Sequence, residues 1–254
     1  MHPSPPKRFQ MEFTTTSQAV LDTGVKLLVY GEAGHGKTML TATLPRPLLL
    51  SAESGLLSLT RANIERVFGA NDPSICYDIP VIKINSFDDI TAAFNFITDP
   101  NNGCKERFDS IALDSLTEIA EQCLNNSKRT VKDPRQAYGE LIERMQTVIR
   151  SFRDIQGFNI YMSAKMARNK DEVTGVTAYG PSMPGAKLGP ELPYFFDEVF
   201  KLGVGKDQNT QQNFRYLLTQ PDIQNIAKDR SGMLEQMEYL HLGKLINKIK
   251  GIAQ

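Results

Sequence analysis

The sequence predicts an α/β protein built on a mostly parallel β-sheet with helices on both faces. Three observations carry this expectation. Short apolar runs alternate with helical segments along the chain. The runs are near-continuous rather than alternating, as in strands buried on both sides. A glycine-rich loop joins the first run to a predicted helix.

Residues 1–24, rich in Pro, Thr and Ser, are expected to form an N-terminal arm, and 25–254 a single domain. The run Val25–Tyr30 (VKLLVY) is the first strand and stops at Gly31. A helix follows from Lys37 to about Thr43, closed by Pro45 and Pro47. The run Pro47–Ser51 is a second strand, leading into a helix over roughly 55–68. Residues 80–84 read as a third strand, with a helix from about Phe87 to Ile97 after it. A fourth strand runs from Phe108 to Leu113 and ends at Asp114. Residues 116–126 and 135–155 read as helices. In the second, Leu141, Met145, Val148, Ile149 and Phe152 recur at helical spacing on one stripe. A fifth strand spans Phe158–Ser163. The stretch 165–190 is broken by Gly and Pro, lacks periodicity and reads as a loop. Strands at about 197–204 and 214–219 and a short helical tail complete the chain.

At 254 residues the chain has room for one sizeable core. Its 29 basic and 29 acidic residues cancel, so any binding of nucleic acid must come from local patches. Cys76, Cys104 and Cys123 lie far apart without a CxxC, which reads as three free thiols in a reducing compartment. No run approaches the ~18 apolar residues of a membrane span. The start MHPSPPKRFQ has proline and charge where a signal peptide needs an apolar stretch. A soluble protein of the cytoplasm, with no membrane partner, is expected.

The segment Gly31-Glu32-Ala33-Gly34-His35-Gly36-Lys37-Thr38 fits the phosphate-binding pattern GxxxxGK(S/T) at every fixed position. Glycines let the backbone wrap closely, so successive N–H groups point at phosphate oxygens. Lys37 would reach the β- and γ-phosphates, the Thr38 hydroxyl would ligate Mg²⁺, and the N-terminal turn of the helix, which carries Met39, adds a favourable partial charge. The expected ligands are ATP and Mg²⁺.

Residues 108–115 (FDSIALDS) form a hydrophobic strand ending in Asp114, the pattern of a Walker B motif whose carboxylate holds a Mg²⁺-bound water. The alternative is that Asp114 caps the next helix. Many ATPases carry Glu immediately after this Asp, but here Ser115 stands there, so the general base must come from elsewhere. Glu53, just past the second strand, reaches the same sheet edge and is the candidate base.

Together, Gly31–Thr38, Ala52-Glu53 and Asp114-Ser115 resemble the RecA-type recombinase core. More closely, the chain resembles compact phage-encoded RecA-like ATPases linked to single-strand annealing and recombination. Tyr161-Met162-Ser163-Ala164-Lys165 and Ala227-Lys228-Asp229-Arg230 extend the likeness. RecA carries a sensor Gln where Ser163 or Lys165 falls here. The resemblance implies a RecA-like P-loop NTPase core that hydrolyses ATP and assembles as a homo-oligomer, filament or ring, on single-stranded DNA in the host cytoplasm. A single-strand DNA-binding protein is a further candidate partner.

It also implies two DNA-facing loops. The first is 125–136, where Lys128, Arg129, Lys132 and Arg135 face only one acid, Asp133. The second is 166–187, carrying Arg168, Lys170 and Lys187, offset by Asp171 and Glu172, with Gly175, Gly180, Pro181, Pro184, Gly185 and Ala186 for flexibility. Tyr179 would stack on a base. Lys228 and Arg230 would reach a neighbouring subunit's γ-phosphate as trans-acting fingers. The rival readings are a helicase-type ring motor or loader, a nucleotide or small-molecule kinase, and a nucleotide-gated interaction protein. The kinase needs an Arg-rich lid, and 165–190 holds only Arg168.

Overall fold

A computed structural model of the chain describes residues 13–16, 18–19, 23–53, 55–170 and 175–252. Most of the expected N-terminal arm, and the residues Asp171 and Glu172, lie outside the described residues. The strands are β1 (Lys26–Gly31), β2 (Pro47–Ser51), β3 (Val81–Lys83), β4 (Ser110–Asp114), β5 (Asn159–Lys170), β6 (Thr177–Ser182), β7 (Glu198–Lys206), β8 (Asn213–Leu218), β9 (Lys228–Asp229) and β10 (Met237–Glu238). The α-helices are α1 (Arg61–Phe68), α2 (Phe87–Thr98), α3 (Cys104–Arg107), α4 (Leu116–Thr130), α5 (Pro134–Arg153), α6 (Leu188–Glu191) and α7 (Leu242–Ile249).

These strands form one sheet in the order β10-β8-β7-β1-β5-β4-β2-β3, with β6 added to β5 and β9 to β7. Strands β3, β2, β4, β5, β1 and β7 run parallel, and the remaining pairings are antiparallel. The near-continuous apolar runs are explained by burial of both faces. Along β1, Leu28 and Tyr30 join one core layer while Leu27 and Val29 join the other. The first layer is covered by α2, α4 and α5, whose predicted stripe Leu141, Met145, Val148, Ile149 and Phe152 is buried. The second is covered by α7 and by a 3₁₀ helix, Thr38–Thr43. The expected α/β architecture, a mostly parallel sheet with helices on both faces, is the observed one.

Three local expectations are corrected. The stretch 165–190 is not a loop. β5 continues to Lys170 and turns back as β6, from Lys165 opposite Ser182 to Lys170 opposite Thr177. Its outer residues are exposed on both faces, so no apolar alternation marks the hairpin. The segment 125–136 is mostly helix: α4 runs to Thr130 and α5 begins at Pro134. Its last turn is polar and ends in Lys128 and Arg129, which favour a helix carboxyl end. The helix after the phosphate loop is a 3₁₀ helix, because its backbone bonds are drawn to shorter spacing. Leu44 N–H donates to the Thr41 carbonyl and Leu40 N–H to the Lys37 carbonyl, each at 3.2 Å.

Candidate functional site

The parallel strands bring three segments to one sheet edge. β1 ends at Gly31, β2 at Ser51 and β4 at Asp114, with β5 interposed between β1 and β4. Gly34 and Gly36 adopt positive φ (75° and 107°), the conformations that let the loop fold back over the strand end. The Lys37 ammonium lies inside this curl and donates to the Gly31 and Glu32 carbonyls at 2.9 and 3.0 Å. Burial lowers its pKa, while Asp114, Glu53 and Glu32 oppose that shift. Tyr161, buried in β5, donates its hydroxyl to the Lys37 carbonyl at 2.7 Å and so fixes the loop's exit.

Asp114 is buried and receives two hydroxyls. Thr38 Oγ1 donates to Oδ2 at 2.6 Å, and Ser163 Oγ donates to Oδ1. Burial raises the Asp114 pKa; the two hydroxyl donors and Lys37 pull it back, and Glu53 pushes it further up. The helix-cap alternative for this residue falls away, because Ser115 is the N-cap of α4, accepting from the Glu118 N–H at 3.4 Å. Ser115 also donates to Glu53 Oε1 at 2.5 Å. Glu53 is thereby brought together with Gly34, Gly36, Lys37, Thr38 and Met39 around a cavity of about 380 Å³, which Lys165 borders as well. Ser54, between Glu53 and this cavity's Gly55, lies outside the described residues.

The Thr38–Asp114 pair fits a hard divalent cation, which takes oxygen ligands. With its proton directed at Asp114, the Thr38 hydroxyl keeps its lone pairs for a cation.

A protein-family model described as an AAA domain matches residues 23–231. The chain belongs to this AAA domain family. It is therefore a P-loop ATPase of AAA type, and nucleotide with Mg²⁺ is what such a domain implies. No curated protein matches the chain. Among solved structures it is similar to a KaiC-like protein, PH0186, from the hyperthermophilic archaeon Pyrococcus horikoshii OT3. The two share 13% identity over 77% of this chain and 78% of that one, with a TM-score of 0.40. Among the described residues of the AAA domain, no helix is long and apolar enough to cross a membrane. All three cysteines are free.

The basic residues expected at DNA separate into two groups. Arg135 and Lys187 line one cavity of about 470 Å³ with Tyr138 and Gly185, and the Lys128 ammonium lies 5.8 Å from the Tyr138 ring centre. The two predicted segments therefore do meet. Arg129 is on the exposed last turn of α4, Lys132 in the short connection to α5, and Lys170 at the exposed end of β5. Arg168 belongs elsewhere: its Nη2 donates to Glu32 Oε1 of the phosphate loop at 2.7 Å. That hydrogen bond lowers the Glu32 pKa. Tyr179 is not free for base stacking. Lys201 Nζ lies 4.8 Å and Arg168 Cζ 5.8 Å from its ring centre.

Lys228 and Arg230 are held inside the chain. Lys228 Nζ donates to the Phe196 and Pro193 carbonyls at 2.6 and 3.3 Å, and Arg230 Nη1 to Asp197 Oδ1 at 2.8 Å. Strand β9 pairs with the first residues of β7, Glu198 and Val199, at the sheet edge opposite the phosphate loop. These contacts engage both side chains within the subunit, and Arg230 keeps a largely exposed side chain.

The same edge buries Glu198, whose Oε2 has no hydrogen-bond partner. Burial, then the charge and side chain of Asp229, raise its pKa to about 8. The folded chain thus holds a proton that the unfolded chain releases above about pH 4.5. Stability should fall as pH rises from about 4.5 to about 8, with Glu198 contributing roughly 1–3 kcal/mol of that loss. Glu198→Gln should flatten this stretch of the curve in urea unfolding measured across pH. An unchanged slope would remove the assignment.

Ser115, Tyr161 and Ser163 were not assigned roles from sequence. The signal for Ser163 is a lone hydroxyl inside the apolar run IYMSA, which a doubly buried strand tolerates only with a partner.

Proposed function

We propose that the protein binds ATP at the 31–38 loop and hydrolyses it, using Glu53 as the general base. The observation that carries this reading is the hydrogen bond between Thr38 and Asp114 at 2.6 Å, with Glu53 one strand over. A Mg²⁺ held by Thr38 and Asp114 would offset phosphate charge. The loop's N–H groups and Lys37 bind and orient the phosphates. Glu53, positioned by Ser115, accepts the proton of the attacking water. Ser163 keeps Asp114 oriented towards Thr38.

The partner proposed for this cycle is single-stranded DNA, on which copies of the chain assemble for annealing or recombination. The convergence of Lys128, Arg135 and Lys187 around Tyr138 supports it, since clustered cations contact phosphates and an aromatic ring stacks on bases. The test is ATP hydrolysis with and without single-stranded DNA across a salt series. DNA should stimulate turnover, and the effect should fade as salt rises. Replacing Arg135 or Lys187 with Ala should each reduce the salt slope by about 1. Absence of stimulation at low salt would sink the DNA reading and favour a nucleotide-gated protein partner.

A further inference from the structure

A second and larger cavity, of about 650 Å³, shares none of its lining residues with the one around Glu53. Its walls include Arg66 and Phe68 from α1, Arg215 from β8, and Tyr239 just past β10. The size lies within the range of small-ligand sites. Strand alternation explains why Arg215 faces it. Asn213, Arg215 and Leu217 share one face of β8, and Leu217 packs in the core layer that also holds Leu40 and Leu44 behind the phosphate loop. Phe214 and Tyr216 take the other face, close against Gly205 and Gly203 of β7.

The cavity is joined to the phosphate loop through Arg215. A Cβ added at Gly36 would stand 3.1 Å from Arg215 Nη1 and 3.8 Å from its Cζ, so the guanidinium rests on the loop backbone. Arg215 makes no ion pair or hydrogen bond among the described residues, so all its donors are available. Tyr239 is 87% exposed, which leaves its ring open to a planar ligand.

We propose that this cavity takes the nucleoside end of ATP, with Arg215 donating to the phosphate chain from within the same subunit and Tyr239 stacking on the base. The proposal rests on the phosphate loop being the triphosphate site and extends it to residues outside the loop. A guanidinium suits this place because its planar fork can address two phosphate oxygens at once. Flat stacking on Tyr239 suits a purine without demanding a particular edge pattern.

The test is calorimetric titration of ATP and of inorganic tripolyphosphate, both with Mg²⁺, into the wild type and the variants Lys37→Ala, Arg215→Ala, Arg215→Lys and Tyr239→Ala. Arg215→Ala should weaken both ligands about 10- to 100-fold, the loss expected for a charged hydrogen bond. Arg215→Lys should recover part of that loss. Tyr239→Ala should weaken ATP roughly tenfold while leaving tripolyphosphate unchanged. Arg215 and Tyr239 project outward, and thermal unfolding of each variant checks that the fold is kept. If Lys37→Ala loses ATP but the Arg215 and Tyr239 variants bind it like the wild type, the proposal is overturned and the loop assignment stands. If the wild type binds neither ligand, both fall together.

Discussion

Lys37→Ala is expected to lower ATP turnover by about 10²–10³-fold or more, the cost of removing one preorganised donor from developing negative charge. The structure gives this lysine no substitute inside the loop. Its ammonium is already placed against the Gly31 and Glu32 carbonyls, 2.9 and 3.0 Å away, so little reorganisation is needed to meet phosphate. Two nearby cations are committed elsewhere, Lys165 to Glu118 and Glu121 and Arg168 to Glu32. Removing Lys37 also takes away a charge that favours ionised Asp114, so cation binding by the Thr38–Asp114 pair should weaken in parallel. Nucleotide titration at several Mg²⁺ concentrations, with thermal unfolding as a control, reads both effects. Turnover at the wild-type rate would end the loop assignment.

Glu53→Gln should keep ATP binding within a few-fold and reduce hydrolysis by about 10²–10⁴-fold, the usual contribution of a general base. The amide keeps the shape of the carboxylate and still accepts the Ser115 hydroxyl, which lies 2.5 Å from Glu53 Oε1. Only basicity is lost. The electrostatic consequences have defined signs. Glu53 raises the pKa of both Lys37 and Asp114, so its neutralisation lowers both. Asp114 should therefore ionise more readily in the variant, and nucleotide binding with Mg²⁺ should persist to lower pH. Single-turnover hydrolysis beside equilibrium binding separates the two predictions. Hydrolysis at the wild-type rate would move the base elsewhere.

Much of this site is legible in the sequence because its signals are local. A phosphate loop is a contiguous pattern, and the strand before it is a contiguous apolar run. Asp114 and Glu53 were placed by one further inference, that parallel strands end at a common edge. Lys201 Nζ donates to Asn225 Oδ1 at 2.5 Å and the Tyr30 hydroxyl to the Ile226 carbonyl at 2.6 Å, and neither bond has such a local sign, since they join residues 24 and 196 positions apart. The basic residues show the limit most clearly. Lys128, Arg135, Arg168, Lys170, Lys187, Lys228 and Arg230 are the same two residue types, each in a polar segment. Nothing in those segments says that Arg168 meets Glu32, that Lys228 meets the Phe196 carbonyl, or that Arg135 and Lys187 share a cavity.

What the sequence determined by itself is the α/β class, the order of the parallel strands and of the long helices, and the phosphate-loop pattern at Gly31–Thr38. Each follows from backbone preference, burial period or a fixed motif within a dozen residues. What only the tertiary structure decided is which charges find partners. The β5–β6 hairpin turns Arg168 back onto the phosphate loop, β9 ties Lys228 and Arg230 to the opposite edge, and β8 lays Arg215 over Gly36. A long cationic side chain has no preferred partner in the sequence. Its role is set by which acid, carbonyl or ring the sheet brings within its reach.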